Sequence, residues 1–197
     1  MKLSNKNLTL TAKTNSNFME YGQDAVAFYG FAYANGKLYC NGNLIPNNDP
    51  TKITSESRLV SLVYKNNGSV LIDRLKYNGK DIVKSAITNA KFIVSGSRAL
   101  LINGVDKFST YDNNDGWPDE SHDRTMLGIK NDNKTFLLVV ATDITGKEGV
   151  KIMKELGAYN AIILDGGGAS QMYINGTGTV FGSSGTYYGT GLIAYKN

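Results

Sequence analysis

Cysteine and histidine each occur once in this chain of 197 residues, as Cys40 and His122. One cysteine excludes an internal disulfide and a cysteine-rich zinc cluster. One histidine excludes metal motifs built from paired histidines. Proline is scarce, with 3 residues, and tryptophan occurs once, while glycine reaches 22. Charge of either sign is sparse: charged residues make up 19% of the chain and the net charge is +4. The basic residues are scattered, with no stripe of Lys and Arg interleaved with aromatics, which argues against a nucleic-acid polymer as partner. A mild positive excess suits a small anionic ligand. No run reaches the ~18 apolar residues of a membrane span. The opening MKLSNKNLTLTAKTNS lacks the apolar core of a signal peptide, so a cytoplasmic protein is expected. Carboxylates leave room for a calcium or magnesium site, and no other cofactor is indicated.

What is present is a turn-rich globular composition, 41% apolar, with no repeat and no linker, and one domain over residues 1–197 is expected. Short strand-like runs fill the first half: Leu8–Ala12, Asp24–Phe31, Lys37–Cys40, Arg58–Tyr64 and Ser69–Leu75. Residues 80–90 space Ile82, Val83, Ala86 and Ile87 as on a helix. Phe92–Val94 and Ala99–Ile102 read as strands, and residues 109–123 as a polar loop around Trp117. Arg124–Ile129 and Thr135–Thr142 flank the turn KNDNK as an antiparallel hairpin. A helix follows over 145–156, opened by a capping box of Thr145 and Glu148 and stopped at Gly157. Ala161–Leu164 is a short apolar strand. The expected fold is α+β: a mixed sheet with a right-handed βαβ crossover and few helices.

If the crossover strands are parallel, Asp143 and Asp165 emerge at one sheet edge, and the hairpin brings Arg124 and Thr125 there as well. The second strand runs into ILDGGGASQ. Three consecutive glycines lose much entropy on ordering. Either the chain turns sharply there, or a ligand approaches the backbone of Gly166, Gly167 and Gly168, whose amides would form an anion-binding nest. Arg124 suits a two-pronged phosphate contact. Asp165 and Asp143 suit acid and base roles. Ser170 and Gln171 suit hydrogen bonds to sugar or phosphate oxygens. His122 is the only histidine, the residue type whose ordinary pKa lies near neutrality. Plainer roles stay open: a tight strand exit for the glycines, a helix cap for Asp143, a surface ion pair for Arg124. Trp117 is a sugar platform or a loop anchor. Residues 182–191, with Tyr187 and Tyr188, form a lid or a Gly-rich hairpin.

The segments RTMLGI, FLLVVATD and GVKIMKELGAYNAIILDGGGASQM together resemble the phosphodiester glycosidase family, also called the NAGPA or DUF2233 domain. The block runs from about His122 to Met172. Looser matches, AFYGFAYANGKLYCNG, SRLVSLVY and KSAITNAKFIVSGSRALLINGV, precede it in the family's order. The resemblance implies an α+β fold and hydrolysis of a glycosidic bond to a phosphodiester in a sugar phosphodiester or nucleotide-sugar-like substrate. By position it implicates Arg124, Thr125, Asp143, Asp165, Gly166 to Gly168 and Ser170. The chain departs from the family pattern at Phe28-Tyr29-Gly30-Phe31, where relatives carry Asn-Gly, and Tyr29 becomes a candidate substrate contact. It departs again at Ile144, where relatives often carry Gly, and at Ala169, which displaces the serine to Ser170. A late Arg is missing from GTYYGTGLIAY. These departures keep an alternative open: a binding module that sequesters a sugar phosphate or nucleotide-derived signal without turnover, as in a phage anti-defence protein. A third reading is a particle-associated domain that recognises cell-wall polymers.

Overall fold

The computed structural model describes residues 2–4, 8–14, 30–34, 36–40, 43–53, 59–75, 85–110, 120–164, 166–174, 177–182 and 190–196. In chain order the strands are β1 (Lys2–Ser4), β2 (Leu8–Thr14), β3 (Phe31–Ala34), β4 (Lys37–Cys40), β5 (Asn43–Leu44), β6 (Val60–Lys65), β7 (Val70–Asp73) and β8 (Ala90–Gly96). There follow β9 (Arg98–Ile102), β10 (Val105–Asp106), β11 (His122–Ile129) and β12 (Thr135–Ile144). The helix α1 (Gly146–Glu155) then leads to β13 (Asn160–Ile163), β14 (Met172–Ile174), β15 (Gly178–Phe181) and β16 (Thr190–Lys196). The protein is mostly β-sheet with few helices. Its chain divides into two compact units, one of Met1–Asn5 with Ser97–Tyr187 and one of Lys6–Gly96 with Tyr188–Asn197.

The second unit holds a six-stranded sheet in the order β5-β4-β3-β8-β6-β7 and a separate ribbon of β16 with β2. Its core is Phe31, Leu38, Ile53, Val63, Leu75, Ala86 and Ile93, all buried. Of the helix expected over 80–90, residues 85–87 are helical and Ala90 already begins β8; residues 80–84 lie outside the described residues. Of the strand expected over 24–31, only the end is described, and pairing begins at Phe31.

The first unit holds the sheet β1-β12-β11-β13-β9-β10 and the hairpin β14-β15. β11 and β12 pair antiparallel across the KNDNK turn, from Ile129↔Phe136 to His122↔Ile144. β11 also pairs antiparallel with β13, Met126 facing Ile163. β12 and β13 are therefore parallel to each other, as expected of a crossover, but β11 lies between them. The hairpin strand intercalates, so the crossover joins parallel strands without pairing them, and every strand pair among the described residues is antiparallel.

The helix α1 forms where the capping box places it. Glu148 N donates to Thr145 Oγ1 at 3.2 Å and Thr145 N donates to Glu148 Oε2 at 2.8 Å, which satisfies two amides that the first turn would leave bare. Gly157, at φ 80°, ends it in a left-handed conformation. Val150 and Met153 are buried against the sheet, each contributing about 1.5–3 kcal/mol of apolar burial. A methyl group at Gly128 would meet Met153 and Ala158, and one at Gly149 would meet Met126 and Leu100. These contacts fix which side of the sheet faces α1: Met126 and Gly128 of β11, and Leu100 of β9.

Candidate active site

Side chains alternate between faces along a strand, and residues directly opposite on paired strands share one. Arg124 is two residues before Met126, so it lies on the α1 face of β11. Arg98 is directly opposite Ile163, which is itself opposite Met126, so Arg98 lies on that face too. A bulge on β9 between these registers, where Ala161 pairs with Leu101 and Ile162 with Ala99, keeps Arg98 in this row. Thr125 takes the opposite face of β11.

Arg124 is buried, with 2% exposure. Its Nη2 donates to Glu120 O at 2.6 Å and its Nε to Ile144 O at 3.3 Å. A guanidinium so placed is costly to keep charged. Burial lowers its pKa, Glu120 opposes that, and the positive charge of Arg98 adds to the lowering. Its ordinary value is so high that it stays a cation at neutral pH. The Gly166 backbone lies beside this side chain: an added Cβ would stand 3.7 Å from both Cδ and Nη1 of Arg124.

The three glycines have three different environments. A Cβ at Gly166 would stand 2.9 Å from Asp123 O, closer than a real side chain tolerates. Gly167 is left-handed, at φ 59°, and opens a 3-10 turn over Gly167–Ala169 that closes with Ser170 N donating to Gly167 O at 3.0 Å. Among the described residues, no atom lies within 4 Å of where the Gly168 Cβ would be. No described side chain packs where this third-glycine Cβ would stand, and its backbone is not left-handed.

Around this turn, Ser170 is 2% exposed. Its Oγ and the buried Oγ1 of Thr125 have no hydrogen-bond partner among the described residues. A buried hydroxyl in that condition costs about 1–3 kcal/mol. Gln171 is half-buried, and Gly182, at φ 78°, lets the end of β15 approach Ser170 and Gln171.

Asp143 sits within β12, where sequence reading put it after a strand. Pairing shifts between His122 and Arg124, and the extra residue on β12 is accommodated by Asp143 at φ 53°. Its amide donates to Asp123 Oδ1 at 3.1 Å and its Oδ1 accepts from Ser121 Oγ at 2.8 Å. The Asp143 side chain is exposed. The helix cap is Thr145, so Asp143 does not serve as one. His122 is half-buried, with Nε2 at 3.0 Å from Glu120 Oε2. The structure thus brings Arg124 against Gly166 and links it through Glu120 to His122 and through Ile144 to the Asp143 bulge. Asp165, Tyr29, Trp117, Tyr187 and Tyr188 lie outside the described residues. Among the described residues no three His, Cys, Asp or Glu side chains gather as a metal site. No helix among them is long and apolar enough to cross a membrane.

Arg98 escaped sequence reading. It is 3% exposed, and its Cζ stands 4.7 Å from the ring centroid of buried Phe108. The available signal was a basic residue at the head of the apolar run RALLI.

The model of the NAGPA phosphodiester glycosidase family matches residues 9–194. Among solved structures, the chain is similar to the zebrafish N-acetylglucosamine-1-phosphodiester alpha-N-acetylglucosaminidase catalytic domain auto-inhibited by its pro-peptide. That match has a TM-score of 0.64 and 15% identity, over 93% of this chain and 69% of the other. A weaker likeness, TM-score 0.48 and 13% identity over 66% of this chain and 24% of the other, is to a hypothetical protein from Synechocystis. None of the curated proteins compared with the chain matches it. With residues 9–194 inside the family model, nearly its whole length, the chain belongs to the phosphodiester glycosidase family.

Proposed function

We propose that the chain hydrolyses the glycosidic bond between a sugar and a phosphodiester, the phosphate resting between Arg124 and the Gly166–Gly168 turn. The observation that carries this reading is the buried Arg124 cation packed against a glycine turn whose third member has no described residue beside its Cβ position. A singly charged phosphate matches a buried guanidinium, and a turn without side chains lets its oxygens approach backbone amides. The crossover from β12 through α1 to β13 is assigned the right-handed sense usual for such connections, and because β12 and β13 run parallel the Asp143 bulge and the glycine turn fall at the same edge.

In this reading water replaces phosphate at the anomeric carbon. The electron pair of the broken bond stays on the bridging oxygen and is stabilised by Arg124. One of Asp165 and Asp143 takes the proton from water or supports positive charge on the sugar, and the other orients or donates. Ser170 and Gln171 supply hydrogen bonds to substrate oxygens, and His122, against Glu120, is the candidate proton acceptor.

The test is mass spectrometry of sugar phosphodiesters and nucleotide sugars incubated with the protein, with and without calcium or magnesium. N-acetylglucosamine 1-phosphodiesters come first, since that is the class named for the zebrafish enzyme. Consumption of one compound by the parent, and not by an Asp143→Ala, Asp165→Ala double variant, is expected. Full hydrolysis by the double variant would sink the assignment. Retention of an unchanged compound by the parent would favour the binding module instead, a reading supported by the departure at Phe28-Tyr29-Gly30-Phe31.

A further inference from the structure

We propose that Asp123 is a positioning residue of the reaction: its side chain holds Asp143 in the conformation that keeps the Asp143 carboxylate within reach of the glycine turn. This role presupposes the reading of the sheet edge as a glycosyl phosphodiester site. Asp123 lies between His122 and Arg124 in β11, where pairing with β12 slips by one residue. Its side chain spans to β12, where Oδ1 accepts the Asp143 amide at 3.1 Å. Its main-chain O closes on the glycine turn, 2.9 Å from where a Gly166 Cβ would stand. One residue therefore touches both the bulge that carries Asp143 and the turn assigned to phosphate.

Asp143 needs holding. Its φ of 53° lies in the left-handed region, which is unfavourable for a residue with a side chain. Among the described residues, the other non-glycine cases are Asn47, Asn48, Asn103 and Asn133, all outside the strands, and Asp143 alone adopts it within one. A residue in such a conformation persists where its surroundings over-determine it. Two contacts do so here, and both come from the stretch of chain that enters β11. Asp123 takes the amide, and Ser121 Oγ donates to Asp143 Oδ1 at 2.8 Å. The second bond engages Oδ1 and leaves Oδ2 of this exposed side chain for water or substrate. A bulge re-aims the side chain it carries. Removing the Asp123 carboxylate takes away the acceptor of the Asp143 amide, so the bulge relaxes toward extended backbone and carries the reacting oxygen off its mark. The Asp123 main chain stays against Gly166, so phosphate binding by Arg124 and the glycines is spared. The loss falls on turnover and not on substrate binding.

Steady-state kinetics on a glycosyl phosphodiester test this, N-acetylglucosamine 1-phosphodiesters first. Asp123→Ala should lower kcat about 10- to 100-fold, the scale of misplacing a reacting group by an ångström, with KM unchanged. Asp123→Asn keeps an acceptor oxygen for the amide and should retain most of the parent kcat. Should the alanine variant fail to fold, Asp123→Glu replaces it: the longer side chain displaces the acceptor, and kcat should again fall. Hydrogen exchange at the Asp143 amide, read by NMR, needs no substrate. The amide should be protected in the parent and in Asp123→Asn and lose its protection in Asp123→Ala. Full kcat in Asp123→Ala, a loss confined to KM, or an unprotected Asp143 amide in the parent overturns the inference. So does an Asp123→Asn variant as slow as Asp123→Ala, which would make the Asp123 charge itself the active feature. Any of these results in a protein that hydrolyses a glycosyl phosphodiester leaves the glycosidase reading standing. A parent that hydrolyses none overturns both.

Discussion

Replacing the first and third glycines of the turn by alanine should have opposite effects. At Gly166 the new methyl would stand 2.9 Å from Asp123 O. That carbonyl belongs to the backbone between His122 and Arg124, so relief requires β11 to shift by a few tenths of an ångström and to carry Arg124 with it. Overpacking of this kind costs about 1–3 kcal/mol, and each kcal/mol lowers Tm by roughly 2–4 °C at this chain length. Gly166→Ala should therefore be visibly less stable. At Gly168 the methyl meets none of the described residues within 4 Å, and the backbone there is not left-handed. Alanine at such a site gains about 0.4–1 kcal/mol by restricting the unfolded chain. Gly168→Ala should melt at the parent temperature or slightly above it. Its methyl would nevertheless occupy the side of the turn assigned to phosphate. Displacing a bound group by an ångström costs on the order of 100-fold in rate. Thermal melts and initial rates on glycosyl phosphodiesters would be measured on the same preparations. A Gly168→Ala protein with parent stability and full activity would refute the idea that the third glycine serves a ligand.

Arg124→Gln removes the cation while keeping a hydrogen-bond donor; turnover should fall about 100- to 1000-fold, the usual loss for one stabilising donor, as read by steady-state kinetics with the folded state checked by circular dichroism. Thr145→Ala breaks the capping box of α1 and should cost about 1 kcal/mol, read from the urea midpoint. Asp132 is the acid-sensitive group of the β11–β12 turn. Burial, the largest single cause, raises its pKa, but the hydrogen bonds from Thr135 and Lys134 and the charge of Lys130 together bring it below the ordinary value. A depressed folded pKa contributes stability above the unfolded value near ~3.9 that is lost as pH falls through the folded one. Asp132→Asn should therefore flatten the loss of Tm in that acid range, and an unchanged acid limb would contradict this.

The elements legible in the sequence were those whose signals are local. The capping box and Gly157 bound α1 to within a residue at each end, and the KNDNK turn announced β11 and β12. The order of strands was not local. Nothing in the hydrophobic pattern says that β11 inserts between the two parallel strands, because an apolar strand buried on both faces pairs equally well on either side. The bulge that takes Asp143 into β12 was hidden for the same reason: a bulge is a property of the pairing. At the site, Arg124 and the glycines were found through chemistry concentrated in one motif. Arg98 lies 26 residues upstream of Arg124 by position, and only the register Arg98↔Ile163 brings it to the same edge. Thr125, grouped with Arg124 by adjacency in sequence, goes to the other face by strand alternation.

The most direct test follows the bond that breaks. A glycosyl phosphodiester would be hydrolysed in water labelled with heavy oxygen and both products weighed by mass spectrometry. Attack at the anomeric carbon puts the label in the sugar and leaves the phosphomonoester unlabelled, which is the expected result. Label in the phosphate would mean that phosphorus was attacked, making the protein a phosphodiesterase and contradicting the assignment of the glycine turn and Arg124 to a departing phosphate.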